Sequence, residues 1–535
     1  MLSTMALPAP VGAILGRLRT GVATMLVGGR GVAHMRTAPA ASQRRGLSSS
    51  GTDNTTTSVG SIHEPVYPVT FEDVSRASFR IREHVTKTPC NQARKLSKIA
   101  GCELFFKQEL QQRTGSFKER GACNAMMLAG RTSAGLIAAS AGNHALALGY
   151  HGGRLGIPVT VVMPEVSWLL AYLSGCFLWL VGRLATWQTA GRSILILIVG
   201  SIACAADTAF FCCRHQVAPL TKVRNCIDFG AEVIIHGQHI GESRDFAFEL
   251  AERRGLTYIN GYDHPSVIAG TGTIGMEILE QVPDVDVIVV PVGGAGLIAG
   301  LALAVKTLRP DVKIIGAEPE RCASYAAAVA AGEPIAIQIG GPTLADGLAV
   351  PKVGTNAFNT CQGRIDAMCT VSERSIARAV LRLVEVEHTV VEGAGATGLA
   401  AILDGRLGLE GKKVVTVLCG GNIDTPVLGR VIERGLAADG RLVRFLAAVS
   451  DRPGGLADLT ARIAHAEASV KQITHERAWV ESDITKVLVR CEVETRDATH
   501  AEEVRQALHD GGIELIWNFQ DFDPAERFNR EPTRI

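Results

Sequence analysis

An excess of charge of either sign is missing from this chain. Its 535 residues carry 54 Lys and Arg against 53 Asp and Glu. Without a basic stripe there is no electrostatic footprint for a nucleic acid, which excludes that class of partner. Metal-type spacing is also missing from the 13 cysteines and 14 histidines, so neither a zinc site nor a disulfide framework is expected. Scattered cysteines fit free thiols in a reducing compartment. Aromatic residues make up only 5% of the chain, while glycine is abundant at 57 residues. Together with alternating strand-like and helix-like stretches, this argues for an α/β enzyme of two or three domains over an all-β or coiled-coil protein.

Acidic residues and lysine are absent from the first 50 positions, which hold Arg17, Arg19, Arg30, Arg36, Arg44 and Arg45 and end in QRRGLSSS. An arginine-rich, acid-free leader resembles a mitochondrial transit peptide, so residues 1–50 are expected to be a targeting segment and the mature protein a soluble matrix enzyme.

Four glycine-rich turns carry the chemistry. In RTGSFKERGACNAMMLAG, Gly115 and Ser116 predict a turn and cap before a helix from Lys118 to Leu128. Alone, Lys118 reads as an ordinary surface lysine. The stretch LIAASAGNHALALGY (136–150) predicts a strand, a small-residue turn and a helix, whose unpaired N-terminal amides suit a carboxylate. VDVIVVPVGGAGLIAGLALAVK (285–306) repeats the pattern with a loop whose small residues let amides close around a phosphate. KKVVTVLCGGNIDTPVLGRVI (412–432) repeats it again. In open parallel sheets such turns gather at the carboxyl ends of the strands, so the four can converge on one crevice.

The motifs TGSFKERGA, SAGNHA, VGGAGL and CGGNID resemble the pyridoxal-phosphate enzymes of the tryptophan-synthase-β fold type. Within that group they are most similar to threonine dehydratases (threonine ammonia-lyases) of the shorter, catabolic kind, over residues 62–165 and 217–435. The resemblance implies a catalytic domain at 62–435 built of two open α/β subdomains, with pyridoxal 5′-phosphate as cofactor. It implies Lys118 as the Schiff-base lysine, Phe117 against the cofactor and Asn143 on its ring hydroxyl. Gly293, Gly294, Ala295, Gly296 and Leu297 would hold the phosphate, and Cys419 would face the pyridine nitrogen. The family has glycine where Ala295 stands, and a methyl there is expected only with a negative φ. Ser140, Ala141, Gly142, Asn143 and His144 would receive the substrate carboxylate, with His144 structural and no general base. The implied reaction removes the β-hydroxyl and then the amine of L-threonine, giving 2-oxobutanoate and ammonia, with L-serine as a second substrate.

Two alternatives are set against that expectation. A serine racemase needs a second serine as the opposite-face acid, and Ala141 stands at that position. Its divalent-metal site is incomplete as well: Glu318 matches one ligand, but Ser324 replaces an Asp. A catalytically inactive amino-acid-sensing protein is the other alternative. TLADGLAV (343–350) and VVEGAGATGLAA (390–401) look dehydratase-like. Glu392 reads either as a residue near the cofactor or as a helix-capping glutamate.

After the end of a helix and a short linker at 431–441, residues 442–520 predict strand, helix, strand, strand, helix, strand. This is the ferredoxin-like βαββαβ pattern. The turn DRPGGLADLT resembles the ACT regulatory domain, which implies an amino-acid effector near Asp451–Gly455 and a homodimer or homotetramer.

One segment fits none of this. Val166–Gln216 is strongly apolar and holds Trp168, Trp179 and Trp187. Joining Glu165 to Val217 restores VVMPEVAPLTKVRNC, an ordinary family-like sequence. Val-Ser at one end and Gln at the other can be encoded by splice-donor and splice-acceptor sequences, so a retained intron is the favoured reading. A packed insertion and a membrane hairpin are the competitors; Arg183, Asp207 and TWQTAGRS weaken the hairpin.

Overall fold

The computed structural model describes residues 68–130, 134–165, 220–476 and 485–517. The leader at 1–50 and the apolar segment 166–216 lie outside the described residues.

Strands such as VIVVP (Val287–Pro291) and KVVTV (Lys413–Val417) are continuous apolar runs, as expected where a parallel sheet is covered on both faces. They form the middle of a six-stranded sheet. Its order is Cys90–Gln92, Glu103–Lys107, Lys413–Val417, Val287–Pro291, Lys313–Pro319 and Ala367–Val371. Only the first pair is antiparallel. A second sheet, wholly parallel, runs Glu232–Ile235, Val159–Met163, Leu136–Ala139 and Thr257–Tyr258. Two open α/β units are therefore present, as the sequence predicts.

Helices Lys118–Ala129 and Pro265–Gln281 pack closely between the two sheets. A methyl on Gly270 would lie 2.5 Å from the Arg120 carbonyl oxygen, so glycine is what allows this approach. The contact also gathers four charges, with Arg120, Lys107 and Glu109 buried and Glu277 half-buried. The Arg120 guanidinium donates to Glu109 at 2.8 Å and to Glu277 at 2.7 Å, while Lys107 Nζ donates to Glu277 at 2.5 Å and to the Thr88 carbonyl at 2.6 Å. Removing any one partner would leave an uncompensated charge in the interior, at a cost of about 3–5 kcal/mol. This cluster anchors the first turn of helix Lys118–Ala129 to strand Glu103–Lys107.

The C-terminal region folds as predicted. Strands Leu442–Ser450, Ser469–Glu476, Lys486–Glu494 and Glu514–Trp517 alternate with helices Gly455–His465 and Ala498–Asp510. The strands form one antiparallel sheet with Lys486–Glu494 and Leu442–Ser450 central. Alternate residues Val443, Phe445, Ala447 and Val449 are buried, giving the period-2 signature of a one-sided core. Helix Thr425–Ala438 leads out of the α/β region into this domain. Arg441 pairs with Glu385 at 2.5 Å and Lys471 with Glu433 at 2.7 Å across the junction.

Candidate active site

Each of the four glycine-rich turns follows a strand's carboxyl end, and the structure brings all four together. Lys118 opens its helix, half-buried, with Nζ donating to the Gly261 carbonyl at 2.5 Å and lying 5.0 Å from the Phe117 ring centroid. The expected cap is corrected here. Phe117, not Ser116, occupies the N-cap with no side-chain capping bond, and the Ser116 hydroxyl is buried without a partner among the described residues. The backbone decides this, because Ser116 bridges Gly420 and the Phe117 N–H donates to the Cys419 carbonyl at 3.0 Å. Burial lowers the Lys118 amine to a pKa of about 8, against the opposing pull of Cys419 and Glu392. About a tenth of the amine is therefore neutral at pH 7, far more than for an ordinary lysine. Burial, reinforced by Glu392, pushes the Cys419 thiol up, so that group stays protonated.

The loop after strand Val287–Pro291 is a cradle. Among the described residues, the N–H groups of Gly293 through Leu297 donate to no carbonyl or side chain, and helix Gly296–Leu308 begins there. Its walls are close. A methyl on Gly293 would meet Leu348 Cα at 2.9 Å, on Gly294 the Tyr262 ring at 2.4 Å, and on Gly296 the Tyr262 carbonyl oxygen at 2.2 Å. Ala295 overturns the expectation of a negative φ: it sits at φ 70°, ψ −2°, the left-handed region. The turn that starts the helix imposes this conformation, and the chain tolerates it at a cost of about 1–2 kcal/mol. These amides and the missing side chains fit a phosphate.

At the second turn, Gly142 is the N-cap of helix Asn143–Leu155 with no side-chain cap. The N–H groups of Ala141, Asn143 and His144 have no partner among the described residues. A methyl on Gly142 would meet nothing within 4 Å, so this anion site is open. Burial and the Lys118 charge depress His144 to a pKa of about 3, so its ring is neutral. Its Nε2, 3.1 Å from the Ile259 carbonyl, must carry the proton. A neutral ring held by a carbonyl agrees with a structural role.

Several participants lie outside the four motifs or, like Asn422 in CGGNID, were given no role there. Segment Ile259–His264 touches three parts of the site: Gly261 accepts from Lys118 and lies against the His144 ring, and Tyr262 walls the phosphate-type loop. The clue available in the sequence was NGYDHP, a turn with Pro265 opening a helix. Glu392 is at the N-cap of helix Gly393–Leu403 yet makes no capping bond; its carboxylate accepts from Asn143 Nδ2 at 2.9 Å. Of the two readings of Glu392, the structure supports a residue in the site. Asn422 donates to Asn143 Oδ1 at 2.9 Å. At the rim, Lys222 and Asp346 lie 3.9 Å apart, one from each α/β unit.

Glu318 is buried and accepts from the Tyr325 and Ala326 N–H groups at 2.7 and 3.0 Å, capping helix Ser324–Ala331. Among the described residues no cluster of His, Cys, Asp and Glu could hold a metal ion.

The chain is similar to known proteins. The family described as pyridoxal-phosphate dependent enzyme matches residues 81–167 and 200–420. An L-threonine ammonia-lyase of Thermotoga maritima is 36% identical over 449 residues, covering 84% of this chain and 99% of that protein. Among solved structures, the processed form of threonine deaminase isoform 2 from Solanum lycopersicum is 30% identical with a TM-score of 0.55, covering 69% of this chain and 90% of that one. Maize serine racemase is 28% identical with a TM-score of 0.56, covering 69% and 99%.

Proposed function

Because the chain belongs to the pyridoxal-phosphate-dependent enzyme family, in its threonine ammonia-lyase branch, we propose that it deaminates L-threonine to 2-oxobutanoate and ammonia, and L-serine to pyruvate. The observation that carries this reading is a lysine of lowered pKa set between two amide-lined helix N-termini, one walled and one open. The loop Gly293–Leu297 fits the cofactor phosphate, and Lys118 fits its point of attachment. When bound, pyridoxal phosphate supplies an electron sink for charge that develops at the substrate α-carbon.

The residues of the chain do the rest. The turn Ser140–His144 orients the substrate carboxylate with unpaired amides and a helix dipole. Lys118, partly neutral, takes the α-proton. The protonated Cys419 thiol leaves the ring nitrogen without a strong acid partner, which favours elimination over transamination. Ala141 offers no proton on the opposite face, so release of oxo acid outruns racemisation. The test is oxo-acid release from L-threonine beside D-serine formation from L-serine; D-serine as the main product would reverse the assignment.

Three further readings belong to the same proposal. Residues 1–50 direct the protein to the mitochondrial matrix, supported by their acid-free, arginine-rich composition. The ferredoxin-like domain binds an amino-acid effector near Asp451–Gly455 in a dimer or tetramer, supported by its strand order and the DRPGG turn. A valid effector must alter threonine affinity, and threonine must alter effector affinity by the same factor. Finally, Val166–Gln216 is not part of the working enzyme. Strands Val159–Met163 and Glu232–Ile235 are parallel neighbours linked through helix Leu220–Asp228, a crossover complete without it. The chain lacking 166–216 is expected to turn over at least as fast as the full chain.

A further inference from the structure

Asn143 is held from both sides by bonds whose direction is not interchangeable. The Thr114 carbonyl can only accept, and it accepts from Asn422 Nδ2 at 2.7 Å. That same amide nitrogen donates to Asn143 Oδ1 at 2.9 Å, so the Asn143 oxygen must point to Asn422. The Asn143 nitrogen then points the other way and donates to Glu392 Oε1 at 2.9 Å. Flipping the Asn143 amide would set nitrogen against nitrogen at the Asn422 end and, with Glu392 ionised, oxygen against oxygen at the other. One N–H of Asn143 remains unused among the described residues.

The Glu392 end is built into a tight space. Glu392 is 7% exposed, and its N–H donates to the Gly420 carbonyl at 3.1 Å. A methyl on Gly420 would lie 2.3 Å from Glu392 Oε1 and 3.1 Å from Asn143 Nδ2, so only glycine admits this bond. The other end is equally close: a methyl on Gly115 would lie 2.5 Å from Asn422 Oδ1.

We infer that the Thr114 carbonyl, Asn422, Asn143 and Glu392 form one polarised hydrogen-bond chain that fixes Asn143 as a donor toward the cofactor ring. In it Asn422 and Glu392 are positioning residues that act through Asn143. This rests on the lyase reading above and adds to it the residues that set the orientation of one cofactor contact. A fixed N–H favours an anionic oxygen on the ligand over a hydroxyl, so the chain tunes the electronics of the bound group as well as its affinity. Burial and Asp346 raise the Glu392 carboxyl to a pKa of about 7, opposed by Lys222, Asn143 and Lys118. Cys419 is the remaining titratable neighbour. Either form of Glu392 keeps an oxygen able to accept, so the chain survives neutralisation of the charge.

The test uses the full chain, stripped of cofactor and titrated with pyridoxal 5′-phosphate, reading the visible absorbance band. Glu392→Gln retains an acceptor and is expected to bind within about twofold of the parent, whereas Glu392→Leu weakens binding about tenfold and shifts the band. Asn422→Asp replaces the donor by an acceptor, forces Asn143 to turn, and is expected to do the same. Should Asn422→Asp fail to fold by circular dichroism, the Gln and Leu pair decides alone. Equal loss in Glu392→Gln and Glu392→Leu, or an unchanged band in all three, would overturn the inference while leaving the lyase reading intact. Failure of the parent to take up cofactor, both as the full chain and without residues 166–216, would overturn both.

Discussion

Two helix N-termini in this molecule are built for anions, and they differ in one respect. The loop Gly293–Leu297 is walled by Tyr262 and Leu348 so closely that three of its positions have no room for a methyl. The turn Ser140–His144 has nothing within 4 Å of the place where a Gly142 side chain would begin. Identical backbone chemistry thus gives one site shaped around a resident group and one left accessible to a ligand that comes and goes. Rigid walls add affinity by preorganisation; an open turn allows exchange.

The largest expected effect tests that division at the residue between the two sites. On the proposed reading Lys118→Ala removes both the attachment point and the base, so turnover of L-threonine is expected to fall by at least about 10⁴-fold. If the walled loop is the main holder, the variant still binds pyridoxal phosphate reversibly, measured by equilibrium dialysis. Complete loss of binding would assign the holding role to the lysine instead.

The comparison is most directly broken at the glycines. Gly294→Ala drives a methyl into the Tyr262 ring and is expected to weaken cofactor binding by about 5- to 150-fold, the range of a 1–3 kcal/mol overpacking penalty. Gly142→Ala is expected to leave cofactor affinity unchanged and to raise KM for threonine only a few-fold. Equal effects of the two on cofactor affinity would show that the walls do not matter.

A smaller effect concerns pH. Capture of the cofactor by the stripped protein needs the neutral Lys118 amine. With a pKa of about 8, the neutral fraction rises with pH up to that value and falls about tenfold for each unit below it. The rate of appearance of the visible band, followed by stopped flow, is expected to climb between pH 6 and 8 and then level off. A flat profile would mean that docking in the walled loop, not attachment, limits uptake.

How much of this was legible in the sequence depends on range. The two α/β sheets, the βαββαβ domain and the four turns are local patterns, in which apolar runs of strand length meet small residues and then a helix. Lys118, the loop at 293–297 and the turn at 140–144 could be found on those grounds. What brings them together could not. Segment Ile259–His264 joins Lys118, His144 and the loop through a backbone carbonyl and a tyrosine ring, and nothing in NGYDHP reports where those will point. The Asn143–Glu392 bond spans 249 positions and depends on Gly420 having no side chain. The cap at Ser116 was misread because the local rule lost to a bridge with Gly420, a contact made across the fold.

Ala295 is the other misreading, and it supplies the smallest prediction. A methyl group at φ 70° stores about 1–2 kcal/mol, yet unlike its three glycine neighbours the residue is limited by conformation, not by space. Ala295→Gly relieves that strain but gives the unfolded chain more freedom, a loss of about 0.5–1 kcal/mol. The balance is a net stabilisation of about 0–1.5 kcal/mol. In a protein of this size that raises Tm by no more than a few degrees, read by thermal unfolding of the cofactor-free form. Cofactor affinity should stay within about twofold, because the amides keep their directions. A larger gain in affinity would mean that the alanine distorts the loop. The walls at Gly293, Gly294 and Gly296 would then be one part of the preorganisation, with the left-handed turn at 295 the other.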